Sequence, residues 1–310
     1  MRRLGSFLFR YLFIRFHLLF IIIVFLAACA CFSSNSVARS QQDDRQHTLT
    51  GDIRVHKKFH SKFLKSDRDV LVYLPPGYEA DKKKRYPVLY MHDGQNLFDG
   101  ATSFIPGKEW RMDETAQSLI ASGAIKPIII VGIYNGEQDR IDEYTPVRVE
   151  RFKAGGKADQ YGRMLVEELK PFIDANYRTL TDAKDTGLGG SSLGGLVSLY
   201  LGLKYPKTFG KLAVISPSVW WGDRMIVQEV LSLKQRPSER IWLDIGTKEG
   251  RNSEEENESL TDTRKLRDAL IKKGWKLNKD LGYLEDEGAE HNETAWAKRV
   301  ASVLKFLFSK

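Results

Sequence analysis

Residues 127–133 read PIIIVGI, an apolar run with no alternating polar face. A strand of that kind has to be covered on both sides, as the strands of a parallel sheet between helices are. Other β-rich runs lie at 69–75, 86–91, 211–216 and 240–245, the first stopped by Pro75-Pro76-Gly77. Helical patterns separate them. Residues 158–177 carry an apolar stripe of Met164, Leu165, Leu169, Phe172 and Ile173. Further helices are expected at 113–122, at 193–205 before Pro206, at 260–273 before Gly274, and at 294–308. Strands alternating with helices imply an α/β fold, a mostly parallel central sheet with helices on both faces. Chemistry in such sheets gathers beyond the carboxyl ends of the strands.

One segment fits that place. Gly190-Ser191-Ser192-Leu193-Gly194 matches G-x-S-x-G, with a short strand before it and an apolar helix after it. The motif describes a strained strand-to-helix turn that lifts a serine hydroxyl clear of the backbone. The positive end of the following helix then faces the site where negative charge develops. Ser192 is the candidate nucleophile. The plainer alternative is a Gly/Ser loop that binds an anion at a helix start. No P-loop pattern occurs, so nucleotide hydrolysis has no support.

Chain order supplies the partners. In α/β-hydrolases the acid and then the histidine follow the nucleophile. Of six histidines only His291 lies after Ser192. For the acid, Glu249 lies in the turn beyond the strand RIWLDI and is preferred. Asp244 sits within that strand and reads as a structural residue bonding the Gly246 turn. The oxyanion donors are expected to be the backbone N–H of Leu193 and that of Asp93 or Gly94. His92 and Asp93 have no matching ligand cluster, so no metal is expected.

The net charge of +8 falls to +4 once Arg2, Arg3, Arg10 and Arg15 are set aside. That is weak ground for binding nucleic acid, and none is expected. Lys82 to Arg85 reads as a solvated turn. Leu18 to Ala28 is an uncharged run too short to span a bilayer comfortably, which points to an export signal. It ends Leu26-Ala27-Ala28-Cys29, which resembles the lipobox of bacterial lipoproteins and implies acylation of Cys29. Cleavage after Ala30 or Ala38 is the alternative. The expected organisation is a signal at 1–28, a tether at 29–47 and a folded domain at 48–310. The product is exported and held to the cell envelope through a lipidated Cys29, or else periplasmic or secreted. The two cysteines, Cys29 and Cys31, precede the domain, so it needs no disulfide.

The chain resembles the esterase family of α/β-hydrolases that includes enterochelin esterases, feruloyl and acetyl xylan esterases, S-formylglutathione hydrolase and mycolyltransferases. The resemblance rests on VYLPPGY (72–78), YPVLYMHDGQNLFD (86–99), EELKPFIDANYRT (167–179), GGSSLGGLVSLY (189–200), SPSVWW (216–221), DIGTKEG (244–250) and GAEHNETAW (288–296). It implies an α/β-hydrolase fold and cofactor-free ester or thioester hydrolysis through an acyl-enzyme on Ser192, with His291 as base. Glu249 stands where many members carry aspartate, which leaves a Ser–His dyad open beside a full triad. The expected substrate is a small-molecule or carbohydrate-linked ester, with Trp110, Trp220 and Trp221 as pocket candidates. The alternatives are an acyltransferase on the same scaffold and an inactive surface binding protein.

Overall fold

The computed structural model describes residues 46–309, so the expected signal and Cys29 lie outside the described residues. Eight strands form one sheet: β1 (Asp52–Phe59), β2 (Arg68–Leu74), β3 (Val88–His92), β4 (Ile129–Ile133), β7 (Thr186–Ser192), β8 (Lys211–Pro217), β9 (Arg240–Lys248) and β10 (Leu281–Glu290). Their order is β1-β2-β4-β3-β7-β8-β9-β10. Only β2 breaks the parallel run, pairing antiparallel with β1 and with β4. The two remaining strands, β5 (Arg148–Val149) and β6 (Ala154–Gly155), form a small separate hairpin.

The helices are α1 (Met112–Ala121), a short α2 (Arg140–Glu143), α3 (Ala158–Arg163), α4 (Lys170–Asn176), α5 (Leu193–Lys204), α6 (Trp221–Ser232), α7 (Ser253–Lys272) and α8 (Glu293–Phe308). A π-helical stretch at Met164–Leu169 joins α3 to α4, so the expected helix at 158–177 forms as one rod with a local overwide turn. The period-2 alternation of β2 separates two cores. Val70, Val72 and Leu74 face a cluster containing Leu165, Leu196 and Leu201, while Leu71 and Tyr73 face one containing Leu119, Val300 and Leu304. Strands β3 and β4 are buried throughout, as the PIIIVGI run requires. Each buried Ile or Val contributes roughly 1.5–3 kcal/mol of burial free energy.

The carboxyl ends of β7, β8, β9 and β10 converge on one edge of the sheet. Ser192, Ser216 to Val219, Lys248 to Arg251 and Glu290 to Asn292 all line a single cleft there, of about 1520 Å³.

Candidate active site

Ser192 is the last residue of β7 and the N-cap of α5, at φ 59 and ψ −124. A non-glycine residue there is strained by roughly 1–3 kcal/mol, and such strain clusters at functional sites. The strain follows from the join. A straight strand hands directly to a helix, with no connecting residue to absorb the change of direction. Ser192 Oγ lies 3.2 Å from Ser218 Oγ, and the Ser218 amide donates to the Ser192 carbonyl at 3.0 Å. The nucleophile candidate is thus turned toward Ser218 rather than bonded to His291, while both line the same cleft.

His291 sits between β10 and α8. Its Nδ1–H donates to Glu249 Oε2 at 2.8 Å, so Nε2 carries the free lone pair. The Trp296 ring meets the imidazole edge-on at 5.0 Å. Glu249 is 7 % exposed, and its other oxygen is fully engaged. Oε1 accepts from Ser216 Oγ at 2.5 Å, the Gly246 amide at 2.7 Å and Arg299 Nη2 at 3.3 Å. A Cβ at Gly246 would lie 2.8 Å from Oε1 and 2.3 Å from the Ala289 carbonyl, so only glycine admits this approach.

Asp244 is not aimed at the histidine. Oδ1 accepts from the Ser216 amide at 3.1 Å and from Arg299 Nη1 at 2.9 Å, and Oδ2 from Trp242 Nε1 at 2.7 Å. Burial pushes its carboxyl up to about 6, against the opposing pull of Arg299 and the Trp242 bond. It is structural, but it bonds the end of β8; the Gly246 turn is held by Glu249 itself. Arg299, 2 % exposed, spans both carboxylates and also donates to Ser216 Oγ at 3.0 Å. Trp296 Nε1 donates to that same oxygen at 3.0 Å. Sequence reasoning missed Ser216, Ser218, Trp296 and Arg299. A signal for Arg299 existed: it stands inside the stripe Trp296, Val300, Val303, Leu307, where a solvated arginine has no place.

For the oxyanion, Leu193 opens α5 directly after Ser192, and first-turn amides have no partner within a helix. The Asp93 amide, one of the two candidates for the second donor, already has a partner. It donates to Tyr144 Oη at 3.3 Å, and the Asp93 carboxylate is clamped by Arg140 at 2.7 Å and by Asn135 at 2.7 Å. Burial acts to raise the Asp93 carboxyl, but the Arg140 charge outweighs it and holds the group below its usual range. Gly94 begins the 3-10 turn Gly94–Asn96, where the first amides have no partner within the turn, so Gly94 and its neighbour Gln95 remain the candidates for a second donor. Beside them, His92 is buried and driven down to about 3, a neutral imidazole accepting from or donating to Tyr161 Oη at 2.8 Å. Among the described residues no three His, Cys, Asp or Glu side chains are grouped as a metal site.

The three tryptophans part company. Trp220 is 38 % exposed and lines the cleft. Trp221 is buried beneath it, with Nε1 donating to the Val147 carbonyl at 2.8 Å. Trp110 is not at the cleft: it is 3 % exposed and packs on Trp296 at 5.5 Å, because its ring fills the core between α1 and α8. Phe152, on the hairpin between β5 and β6, stacks on Trp221 at 5.5 Å and 18° and is the aromatic the sequence did not single out.

Comparison with known proteins places these features in context. The family model described as "Putative esterase" matches residues 61–307. The uncharacterized protein YbbA of Bacillus subtilis is 28 % identical over 84 % of this chain and 98 % of its own length. An endo-1,4-beta-xylanase/feruloyl esterase of Xylanibacter ruminicola is 29 % identical over 76 % of this chain and 29 % of its own. An iron(III) salmochelin esterase of Escherichia coli is 30 % identical over 59 % of this chain and 43 % of its own. Among solved structures, the BES protein of Bacillus cereus superposes with a TM-score of 0.65 at 22 % identity, over 86 % of this chain and 98 % of that one, a likeness of fold.

Proposed function

The chain belongs to the esterase family of α/β-hydrolases, and from that premise we propose that it cleaves carboxylic esters through an acyl-enzyme on Ser192. The observation that carries this reading is the pairing of a strained Ser192 at the strand–helix join with a His291–Glu249 bond of 2.8 Å in the same cleft.

His291 Nε2 takes the Ser192 proton as Oγ attacks the ester carbonyl. Glu249, buried against the histidine, holds the imidazole by Nδ1–H and offsets the charge it gains. The Leu193 amide, with Gly94 or Gln95, faces the developing oxyanion. His291 returns the proton to the departing alcohol. Water then attacks the acyl-enzyme, giving up a proton to His291, and the acid leaves as Ser192 is reprotonated. The Ser218 bond to Ser192 Oγ is weak at 3.2 Å, so a rotation about one side-chain torsion exchanges it for His291. An acyltransferase would run the same first half with an alcohol in place of water.

The export and lipid anchoring read from residues 18–31 belong to the same proposal, which places the catalyst outside the cytoplasm. Mass spectrometry of the mature protein is expected to find a diacylglyceryl group on Cys29; an unmodified start at Cys31 or Arg39 would refute it. For the catalytic claim, a fluorophosphonate is expected to label Ser192, and Ser192→Ala to lower hydrolysis of 4-nitrophenyl acetate at least 10³-fold. Label on another serine, or activity retained in the variant, would sink the assignment.

A further inference from the structure

The loop after β3 carries the candidates for the second oxyanion donor, and it is held in an unusual shape. Asp93, its first residue, sits in the left-handed region at φ 55 and ψ 47. Gly94 runs so close to β4 that a Cβ on it would lie 2.5 Å from the Gly132 carbonyl carbon and from the Ile133 nitrogen. The amides that donate within the turn are those of Asn96 and Leu97, to the Asp93 and Gly94 carbonyls. Those of Gly94 and Gln95 come too early in the turn to do so. A left-handed aspartate is a strained residue, and it persists only where its surroundings hold it.

What holds it is a charged fork. Arg140 Nε donates to Asp93 Oδ1 and Nη2 to Oδ2, both at 2.7 Å, and Asn135 Nδ2 adds a bond to Oδ1 at 2.7 Å. Two parallel bonds between a guanidinium and a carboxylate fix direction as well as distance. The fork stands on a fixed base. Arg140 opens the single turn α2, and Glu143 at the other end of that turn takes both Nη groups of Arg68 on β2, at 2.8 and 2.9 Å. One helical turn thus carries two ion pairs, one bolting it to the sheet and one reaching the loop. The clamped carboxylate also abuts the elbow. A Cβ on Gly194, in the first turn of α5, would lie 3.5 Å from Asp93 Oδ2. The loop is therefore set in register with the helix that follows Ser192. A buried ion pair is a weak stabiliser beside apolar packing of the same volume, so its geometry is the feature to explain.

We propose that Arg140 is a positioning residue for the oxyanion hole: its two bonds to Asp93 keep the loop in the left-handed turn that presents the Gly94 and Gln95 amides to the Ser192 adduct. This rests on the esterase reading and adds to it a residue that touches neither the substrate nor the reacting atoms. A small displacement of such an amide costs the ground-state complex little and the tetrahedral adduct much, because only the adduct carries the full charge.

The experiment measures kcat and KM for 4-nitrophenyl acetate and Ki for phenylboronic acid. The boronic acid adds reversibly to Ser192 Oγ as the serine proton passes to His291, and it leaves an anionic boronate oxygen where the oxyanion forms. Arg140→Lys keeps the charge, so Asp93 is not stranded and the fold is kept, but it loses the fork. Asp93→Asn/Arg140→Met removes both charges and the fork together. The double variant is expected to lower kcat by about 10–100-fold with KM little changed, and to raise the Ki of phenylboronic acid in proportion. Arg140→Lys should show a smaller loss of the same kind. Wild-type kcat and Ki in Arg140→Lys would mean that Asp93 needs the charge and not the fork. The same result in the double variant would mean that it needs neither, and either result overturns the proposal. A fall in kcat with Ki unchanged would overturn it as well, since the seat of the oxyanion would then be intact. Wild-type protein that cleaves no ester and takes no fluorophosphonate on Ser192 would instead refute the esterase reading.

Discussion

At the scale of single residues, the site depends on how three buried charges share one space. Asp244, Glu249 and Arg299 are all but inaccessible, and the arginine bonds both acids. With Arg299 and Asp244 neutralising each other, the Glu249 charge is left for the imidazole. Arg299→Met would strand two buried carboxylates, a loss of roughly 3–5 kcal/mol. It should also lower kcat with little change in KM, because Oε1 loses a donor and Oε2 its aim. Removing both charges in Asp244→Asn/Arg299→Met should recover most of that stability, which urea unfolding of the three proteins would measure. If the double variant is no more stable than the single one, the two side chains are not acting as a pair. Glu249→Gln tests the acid more directly: turnover should fall by about 10²–10⁴ with the fold intact, whereas the main effect of Asp244→Ala should be on stability. Turnover lost only in the Asp244 variant would reverse the assignment.

At the scale of elements, the elbow is held by close backbone approach as much as by its motif. A Cβ at Gly194 would meet His92 Cβ at 3.3 Å, a contact a side chain can relieve. A Cβ at Gly195, outside G-x-S-x-G, would lie 2.8 Å from the Ile215 carbonyl of β8, which cannot move without the sheet. Gly195→Ala should therefore cost about 2 kcal/mol or more and Gly194→Ala less, as thermal denaturation would report. The reverse order would show that the turn, not the packing of α5 on β8, sets the constraint. What could be read beforehand follows the same physics. Buried strands β2, β3, β4, β8 and β9 announce themselves by apolar runs. The edge strands β1 and β10 do not, since DIRVHKKF is half solvated and LGYLEDEGAE is buried only at its start. Helix α7 begins at Ser253, well before the expected Leu260, because its first turns are acidic and are fixed by the Asn252 cap rather than by an apolar stripe. Helix α6 was hidden by three left-handed residues, Gly222, Asp223 and Arg224, inside its first turn. In the candidate site, Ser192 and His291 could be nominated from motif and chain order. Arg299 and Ser216 act through contacts 50 and 33 residues away from Glu249, which no local pattern encodes.

At the scale of the molecule, buried carboxylates set how stability responds to pH. Burial lifts Asp113 to about 8, with Glu114 beside it adding to the rise, Glu239 to about 7, and Asp244 to about 6. A carboxyl whose folded value is raised binds its proton more tightly in the native state. Its contribution is greatest below the unfolded value near 4 and is lost as pH rises through the folded one. The window for these three together runs from about pH 4 to about pH 8. Glu285 works the other way: Arg264 pulls it down to about 2, so its contribution is present above the unfolded value and lost as pH falls from about 4.5 to 2. The two trends together put maximum stability in mildly acidic solution, near pH 5. Asp113 also ties down the start of the domain, since Oδ2 accepts from the Thr50 amide at 2.7 Å while Thr48 bonds Glu109 and its amide donates to Asp99 at 3.1 Å. Ionising Asp113 next to Glu114 therefore loosens the point where the chain enters the sheet. Scanning calorimetry should show Tm falling by roughly 5 °C between pH 5 and pH 8.5. Asp113→Asn keeps the acceptor for Thr50 without the charge, and should flatten the upper half of that fall. A Tm that rises over the interval, or an Asn variant with an unchanged slope, would mean that these carboxyls do not govern the response.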